Sequence, residues 1–350
     1  MDFLIVIQHY GRVGQPEKAE ALLERMYQRY KEGNKEAKPN KRTFTSVLLA
    51  WSRSDHDNPA ERALAILDWM KKLHNSGVLD DIKPNRINYT AVLYSIARAR
   101  EQKINGQDPR QLALSLLDEM EEQAAAGDED SRPNVVAYNS ALHTYSNLGD
   151  GLGAQELLAR MVHNEQRGLL LEKPDIISWN SVVEAWSNST DHTAVHRAEA
   201  VLDRMTTLHE SGELQDPPNL FTYTGMINVW LKSELPEASK RIASLLDELD
   251  HVTKSAIDDD SISMYDQLNL IRNLCKTKDF DLYVRAERIL RQMIARNEAR
   301  NTNAVIAAFR ELIKTWKYSK FRLAAEHADG LQRELDALGL KFSERRRENS

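Results

Sequence analysis

Cysteine is almost absent from this 350-residue sequence, which holds only Cys275. One thiol excludes an intramolecular disulfide framework and any zinc site that needs paired cysteines. Glycine and proline are also sparse, with 14 and 10 residues, and no low-complexity tract interrupts the chain. Because 41% of the residues are apolar and 29% are charged, the composition is that of a folded globular chain.

Long hydrophobic runs are missing as well. No stretch approaches the ~18 apolar residues that span a bilayer, so we expect no membrane partner. The apolar run at residues 3–7 is too short for the core of a signal peptide and has no basic flank. Since the chain opens directly inside this apolar pattern, we expect the natural N-terminus to be incomplete.

Positive charge is in deficit, with 47 Lys and Arg against 53 Asp and Glu and a net charge of −6. Proteins that bind nucleic acid by neutralising many phosphates are usually basic. The composition therefore disfavours binding driven by charge alone, although it leaves other modes of nucleic-acid binding open.

Patterns typical of catalysis and metal binding are incomplete. His192 and His196 have the spacing of two metal ligands on a helix, but no third ligand accompanies them. The acidic run at residues 258–260 and the glycine-rich stretch at residues 149–153 follow no predicted strand. We therefore predict no enzyme activity, no catalytic or metal-binding residue, no cofactor and no small-molecule substrate.

A repeat accounts for nearly the whole chain. An aromatic residue, called the marker here, recurs every 41 to 49 residues, at Phe44, Tyr89, Tyr138, Trp179, Tyr223, Tyr265 and Phe309. A second pattern, Ala-x-x-apolar-Leu-x-x-Met, alternates with the markers, as at Ala63–Met70. Apolar residues in both patterns lie three or four positions apart, which predicts two helices per unit. Helix pairs stacked in series form an α-solenoid.

Four tryptophans follow a marker by seven residues: Trp51, Trp186, Trp230 and Trp316. Seven residues are two helical turns, so each of them shares a helix face with its marker. We expect these rings to fill the core between stacked units and not to form platforms for a ligand.

The residues around the markers identify the repeat more closely than its length does. Length alone favours HEAT or armadillo units of ~40–47 residues over tetratricopeptide units of ~34. The segments KPNRINYTAVL, RPNVVAYNSAL, KPDIISWNSVV and PPNLFTYTGMI, however, resemble the pentatricopeptide repeat, and AQELLARM and AEAVLDRM resemble its second helix. The units are longer than is usual for that family, mainly after the Met pattern.

The resemblance implies an all-α fold, a right-handed α-solenoid of about eight helix-turn-helix repeats of 41–49 residues. A single array covers residues 1–343, in units at about 1–40, 41–85, 86–134, 135–175, 176–219, 220–261, 262–305 and 306–343. Residues 344–350 form a basic C-terminal tail.

The resemblance also assigns an RNA-binding site. Pentatricopeptide proteins contact one RNA base per unit, with one side chain of the first helix and one of the linker to the next unit. The first-helix residues, called recognition residues here, directly follow the markers: Thr45, Thr90, Asn139, Asn180 and Thr224. The linker residues are Asn85, Asn134, Asp175, Asn219 and Ser261. The stacking residues, three positions before each recognition residue, are Arg42, Ile87, Val136, Ile177 and Phe221.

In chain order, these residues form the pairs Thr45/Asn85, Thr90/Asn134, Asn139/Asp175, Asn180/Asn219 and Thr224/Ser261. In the family Thr favours purines and Asn favours pyrimidines, so the implied RNA is A-A-U-C-purine from 5′ to 3′. Leu4, Asp266 and Arg310 depart from the pattern at the recognition position, and we expect no base contact there. Capping of helix starts by Asn, Asp and Thr is the alternative explanation of the pattern.

We predict that the protein binds single-stranded RNA sequence-specifically and without catalysis, at about one base per repeat. The resemblance implies that this supports RNA processing, stability or translation in a mitochondrion or plastid, although no transit peptide is visible. The alternative is a scaffold for protein partners of the tetratricopeptide type, which the net acidity and the long units favour.

Overall fold

The computed structural model describes residues 3–56, 58–99, 103–170, 172–233, 235–255, 264–295 and 302–340. The helices in these residues are α1 Phe3–Arg12, α2 Pro16–Lys31, α3 Lys41–Ser52, α4 Pro59–Asn75, α5 Arg86–Arg98, α6 Pro109–Ala125, α7 Val135–Asn147, α8 Gly151–Gln166, α9 Ile176–Asn188, α10 Ala194–Glu210, α11 Leu220–Ser233, α12 Ala238–Ser255, α13 Met264–Leu274, α14 Phe280–Ala295, α15 Thr302–Tyr318 and α16 Ala324–Ala337. Short 3-10 turns lie at Lys35–Ala37 and Asp80–Ile82. Within the described ranges there is no β-strand, and one isolated bridge joins Ile104 and Gln107.

The chain divides into two compact units, Met1–Thr190 and Asp191–Ser350. In the N-terminal unit the first helices of the repeats, α1, α3, α5, α7 and α9, pack in succession. Each second helix, α2, α4, α6 or α8, packs against its own first helix and against the first helix of the next repeat. In the C-terminal unit α11, α13 and α15 likewise pack in succession, and α12, α14 and α16 pack against them. The predicted all-α solenoid of helix-turn-helix repeats is confirmed.

The markers and the Met pattern form the core. Phe44, Tyr89 and Tyr138 are fully buried, as are Ala63 and Met70 of α4. The Tyr89 hydroxyl donates a hydrogen bond of 2.7 Å to Glu119 Oε1 in α6, which ties the first helix of the repeat to its second. Burial, together with this hydrogen bond, raises the pKa of Tyr89 above its usual value.

The four tryptophans are core residues, as predicted, with exposed fractions between 0% and 8%. Trp186 explains the glycine-rich stretch at residues 149–153, because a Cβ atom on Gly151 would overlap the indole ring. A Cβ on Gly153 would likewise collide with Tyr145. These glycines allow helices to approach closely.

The first helices begin earlier than the marker pattern suggests. The first helices α3, α5, α7, α9 and α11 each start three residues before their marker and directly after an Asn or Asp that follows a proline. In α5, for example, Asn85 Oδ1 accepts a hydrogen bond of 3.3 Å from the backbone N–H of Asn88. The cap extends the helix back toward Pro84, where the missing N–H of proline costs nothing.

None of the described helices is both long enough and apolar enough to cross a bilayer.

Candidate nucleic-acid interface

The candidate site lies at the N-terminal ends of the first helices. In α3, α5, α7, α9 and α11, the stacking residue is the second residue of the helix and the recognition residue is the fifth. Residues three apart share one face of a helix, so each stacking residue neighbours its recognition residue. The linker residues Asn85, Asn134 and Asp175 are each the N-cap of the next first helix, which places them at the same end of that neighbouring helix.

The apolar stacking residues are exposed although they belong to packed helices. The exposed fractions are 52% for Ile87, 55% for Val136, 57% for Ile177 and 42% for Phe221. Arg42, at the same position in α3, is exposed too. A single exposed apolar side chain is ordinary, but the same helix position is exposed in successive repeats. In the N-terminal unit, where α3 to α9 pack in succession, these side chains form a surface row.

The pair Asn139/Asp175 is in direct contact. Asn139 Nδ2 donates a hydrogen bond of 3.0 Å to Asp175 Oδ1. The hydroxyl of Ser178, the third residue of α9, lies 2.6 Å from Asn139 Oδ1 and 2.9 Å from Asp175 Oδ1, and we assign its one hydrogen to the nearer oxygen. The backbone N–H of Ser178 donates to Asp175 Oδ1 at 2.9 Å. One amide hydrogen of Asn139 and the Oδ2 atom of Asp175 have no hydrogen-bond partner among the described residues.

The pair Thr45/Asn85 is joined through a third side chain, Asn88. The Thr45 hydroxyl donates to the backbone carbonyl of Lys41 at 2.8 Å and accepts a hydrogen bond of 2.9 Å from Asn88 Nδ2. Asn88 Oδ1 in turn accepts from the backbone N–H of Asn85 at 2.9 Å. Thr45 therefore keeps a lone pair as acceptor, and the side-chain amide of Asn85 keeps its two donors.

The pair Thr90/Asn134 has no such connection. Asn134 Oδ1 caps α7 by accepting from the backbone N–H of Ala137 at 3.0 Å. Ala137 occupies the position that Asn88 and Ser178 hold in the other repeats and has no side-chain donor. The Thr90 hydroxyl is buried and has no hydrogen-bond partner among the described residues.

The two remaining pairs are described in part. Asn180, in the N-terminal unit, is 6% exposed. Asn219, in the C-terminal unit, caps α11 by accepting from the backbone N–H of Thr222 at 3.2 Å. The Thr224 hydroxyl is buried and, within the described ranges, has no partner. Ser261, the acidic run at residues 258–260, the side chain of Asp266 and the basic tail at residues 344–350 lie outside the described residues.

Capping accounts for one part of the predicted pattern. Asn85, Asn134, Asp175 and Asn219 all accept backbone N–H bonds at the start of a helix. Capping does not explain the contact between Asn139 and Asp175, because Asn139 lies inside α7. It also does not explain why the stacking residues are exposed.

Sequence reasoning missed the third residue of each first helix as a member of the site. The signal was present in the sequence, since Asn88, Ser178 and Thr222 each follow a linker residue by three positions, as in a capping box. Their contact with the recognition residue of the preceding repeat, seen for Asn88 and Ser178, is visible only in the structure.

The cations of the linkers are largely neutralised. Lys38 pairs with Asp81 at 3.2 Å, and Lys83 pairs with Asp128 at 2.7 Å. Burial opposes ionisation of Asp128, but the hydrogen bonds from Lys83 and Ser131 outweigh it and lower the pKa of the carboxyl group. These two linker lysines are therefore already paired with carboxylates of the protein.

The fold and this surface define a helical repeat protein with a row of polar pairs at the helix starts. The family model for the pentatricopeptide repeat, described as PPR repeat, matches residues 3–29 and residues 136–165. These segments cover the hairpins α1–α2 and α7–α8. Two segments of the chain thus match the pentatricopeptide repeat, the family that the residues around the markers predicted.

Two solved structures are similar to the chain. One is the pentatricopeptide repeat protein PPR10 in complex with an 18-nt psaJ RNA element, at 18% identity and a TM-score of 0.35. The alignment covers 97% of this chain and 55% of that one. A cysteine-to-serine variant of PPR10 with the same RNA element gives the same identity, coverage and TM-score. The chain thus spans about half the length of these proteins. A search of curated protein sequences found no significant match.

Proposed function

We propose that the protein binds single-stranded RNA at the N-terminal ends of its first helices, with one base at each recognition pair and without catalysis. The observation that carries this proposal is the pair Asn139/Asp175. Its two side chains come from the starts of successive first helices, α7 and α9, and lie 3.0 Å apart. Val136 and Ile177, beside them, expose apolar surface that water solvates poorly and a base can cover.

The open atoms of this pair complement uracil. Asp175 Oδ2 can accept the N3–H of the base, and the free amide hydrogen of Asn139 can donate to a carbonyl oxygen of the base. Cytosine would instead place the N3 lone pair against the carboxylate. Apolar side chains on either side suit the two faces of a base, which stack without regard to sequence.

The open atoms of the pair Thr45/Asn85 complement adenine. The remaining lone pair of Thr45 can accept from the exocyclic N6 amine, and the Asn85 amide can donate to N1. Cytosine has the same order of donor and acceptor, so the preference for a purine rests on the family resemblance. Arg42, at the stacking position, offers a planar guanidinium as a stacking partner.

The cellular role rests on the family resemblance alone. We propose that the bound RNA is a transcript of a mitochondrion or plastid, and that binding protects it, unmasks it or presents it for processing or translation.

A protein scaffold is the competing function, since exposed apolar residues in a row also suit a peptide. Selection from a randomised pool of single-stranded RNA at fixed salt separates the two. We expect the enriched molecules to share the core A-A-U-C. A pool that shows no enrichment, or that enriches unrelated sequences, overturns the RNA proposal in favour of a protein partner.

A further inference from the structure

In α5 and α9 the third residue of the helix lies between the recognition residue of the preceding repeat and the linker residue. Asn88 and Ser178 hold this place in α5 and α9, and both are fully buried. Ser178 donates to Asn139 Oδ1 at 2.6 Å, and Asn88 donates to Thr45 Oγ1 at 2.9 Å. Neither residue is exposed enough to touch a base. Each instead hydrogen-bonds to the recognition residue that would.

We propose that this third residue is a positioning residue that determines how sharply its recognition pair discriminates between bases. The inference rests on the proposed function and deepens it. A hydroxyl hydrogen of threonine rotates to suit its partner, so a free threonine can act as donor or acceptor. A third residue that donates to the hydroxyl removes this freedom.

Thr45 illustrates the fixed state. Its hydrogen is committed to the Lys41 carbonyl at 2.8 Å, and one lone pair is committed to Asn88 Nδ2. Toward a base, Thr45 is therefore an acceptor only. An acceptor suits the N6 amine of adenine and opposes the O6 oxygen of guanine.

Thr90 illustrates the free state. Its pair, Thr90/Asn134, is chemically identical to Thr45/Asn85, but Ala137 replaces Asn88 as the third residue. The Thr90 hydroxyl has no partner among the described residues. Because no neighbour fixes this buried hydroxyl as an acceptor toward the base, the position should tolerate adenine and guanine alike, and discrimination there would depend on Asn134 alone.

Ser178 acts on the other kind of recognition residue. Because a hydroxyl hydrogen seeks an oxygen, Ser178 turns Asn139 so that Oδ1 faces the serine and Nδ2 faces Asp175. This orientation leaves an N–H of Asn139, and not its oxygen, available to the base. Ser178 thereby supports the choice of uracil.

The two Thr/Asn pairs supply the test within one chain. Competition between AAUCA, GAUCA and AGUCA oligonucleotides, each in the same flanks, measures the preference for adenine over guanine at the first and second bases. For the unmodified chain we expect the preference to be about fivefold stronger at the first base, which corresponds to one hydrogen bond. Asn88→Ala should lower the first preference to the level of the second. Ala137→Ser or Ala137→Asn should raise the preference for adenine over guanine at the second base.

Thr43→Ala is the control variant for loss of the helix cap. Thr43 is the third residue of α3, is fully buried and forms the same capping box with Asn40. Among the described residues, the side-chain hydrogen bonds of Thr43 all go to Asn40 and not to an assigned recognition residue. This variant should match Asn88→Ala in thermal stability while both base preferences stay unchanged. A Thr43→Ala variant that alters the first preference as Asn88→Ala does would reduce the effect to helix capping and overturn the inference.

The remaining outcomes are distinct. In one outcome, the preference for adenine over guanine is equal at the two bases, and Thr45→Asn changes it but Asn88→Ala does not. That outcome would overturn the role of the third residue and leave the proposed function intact. If neither base shows a preference and Thr45→Asn changes nothing, base recognition by these pairs is wrong, and the inference falls with it.

Discussion

The two helix layers of the N-terminal unit connect their repeats in different ways. In the second-helix layer, charged side chains cross between repeats and end on opposite charges. Arg160 reaches Asp118 at 2.6 Å and Glu121 at 2.8 Å, and Arg110 reaches Asp150 at 2.6 Å. At the starts of the first helices, by contrast, the side chains that cross are mainly neutral, and several of their atoms have no hydrogen-bond partner in the described part of the chain.

This difference indicates that the two helix layers of a repeat have different roles. The ion pairs satisfy their partners inside the protein, so they contribute to stability and offer little to a ligand. A tryptophan, a glutamate and an arginine form one such cluster in each unit. Trp51 Nε1 and Trp230 Nε1 donate to Glu20 and Glu199, at 2.8 Å and 2.6 Å, and an arginine pairs with each glutamate. The helix starts keep unused donors and acceptors, which is what recognition of a base requires.

The largest expected effect tests the second-helix layer. Glu20 is 7% exposed and accepts from Trp51 and Arg62. Glu20→Ala leaves the buried indole N–H without an acceptor, and we expect the free energy of unfolding to fall by about 2–3 kcal/mol. Urea denaturation of the full chain measures this. Glu20→Gln retains an oxygen for Trp51, so its free energy of unfolding should fall by less. RNA affinity below the melting temperature should not change, and a parallel loss of affinity would break the proposed separation of the layers.

The next effect tests the helix starts. Asp175→Asn replaces the open Oδ2 with an amide nitrogen, while the remaining oxygen can still cap α9. The new N–H can donate to N3 of cytosine, so we expect the preference at the third base to move from uracil toward cytosine. A mismatched polar edge costs about 1–3 kcal/mol, or roughly 5- to 150-fold in affinity.

Competition between AAUCA and AACCA at fixed salt checks the change. The preferences at the first and second bases serve as internal controls and should stay unchanged. Equal weakening of all sequences would mean that Asp175 acts only as a helix cap, as the alternative explanation holds.

A third effect concerns the apolar row. Ile177→Glu places a charge where a base face or its phosphates would lie, and we expect RNA affinity to fall at least about tenfold, or ~1.4 kcal/mol. Leu152→Glu in the second-helix layer is the matched control, since Leu152 is 52% exposed against 57% for Ile177. Filter binding should separate the variants, whereas their melting temperatures should agree. Equal losses of affinity would remove the distinction between the layers.

The smallest effect is the dependence of the ion pairs on pH. Hydrogen bonds from Arg110 hold the pKa of Asp108 below its usual range. Because the folded-state pKa is lowered, the carboxylate stabilises the fold above the ordinary pKa of ~3.9, and this stability is lost as pH falls through the folded-state value. The pair is partly exposed, so we expect less than about 1 kcal/mol. Urea denaturation at a series of acidic pH values gives the free energy of unfolding against pH. Arg110→Gln should make its fall toward low pH less steep, and an unchanged slope would show that the pair contributes nothing to stability.

The periodic features of the molecule could be predicted from its sequence, and the cross-repeat features could not. The marker spacing predicts the helix pairs and the buried tryptophans because every unit repeats the same apolar positions. The roles of Asn88 and Ser178 were missed because their partners, Thr45 and Asn139, lie 43 and 39 residues away. Periodicity places residues at equivalent positions, but it does not show which atom of a polar side chain is already bonded.

The place of the third residue has a consequence for how such arrays are cut and rejoined. Asn139 and Asp175 lie in one unit, residues 135–175, but Ser178, which bonds to Asn139, lies in the next. Excising residues 135–175 would bring Ser178 to the pair Thr90/Asn134 in place of Ala137. If the third residue acts as proposed, removing or transplanting a repeat changes the base preference of the unit before it, so a repeat is not a self-contained module. Designed rearrangements of this chain should therefore cut after the third residue of a first helix, and not at the linker.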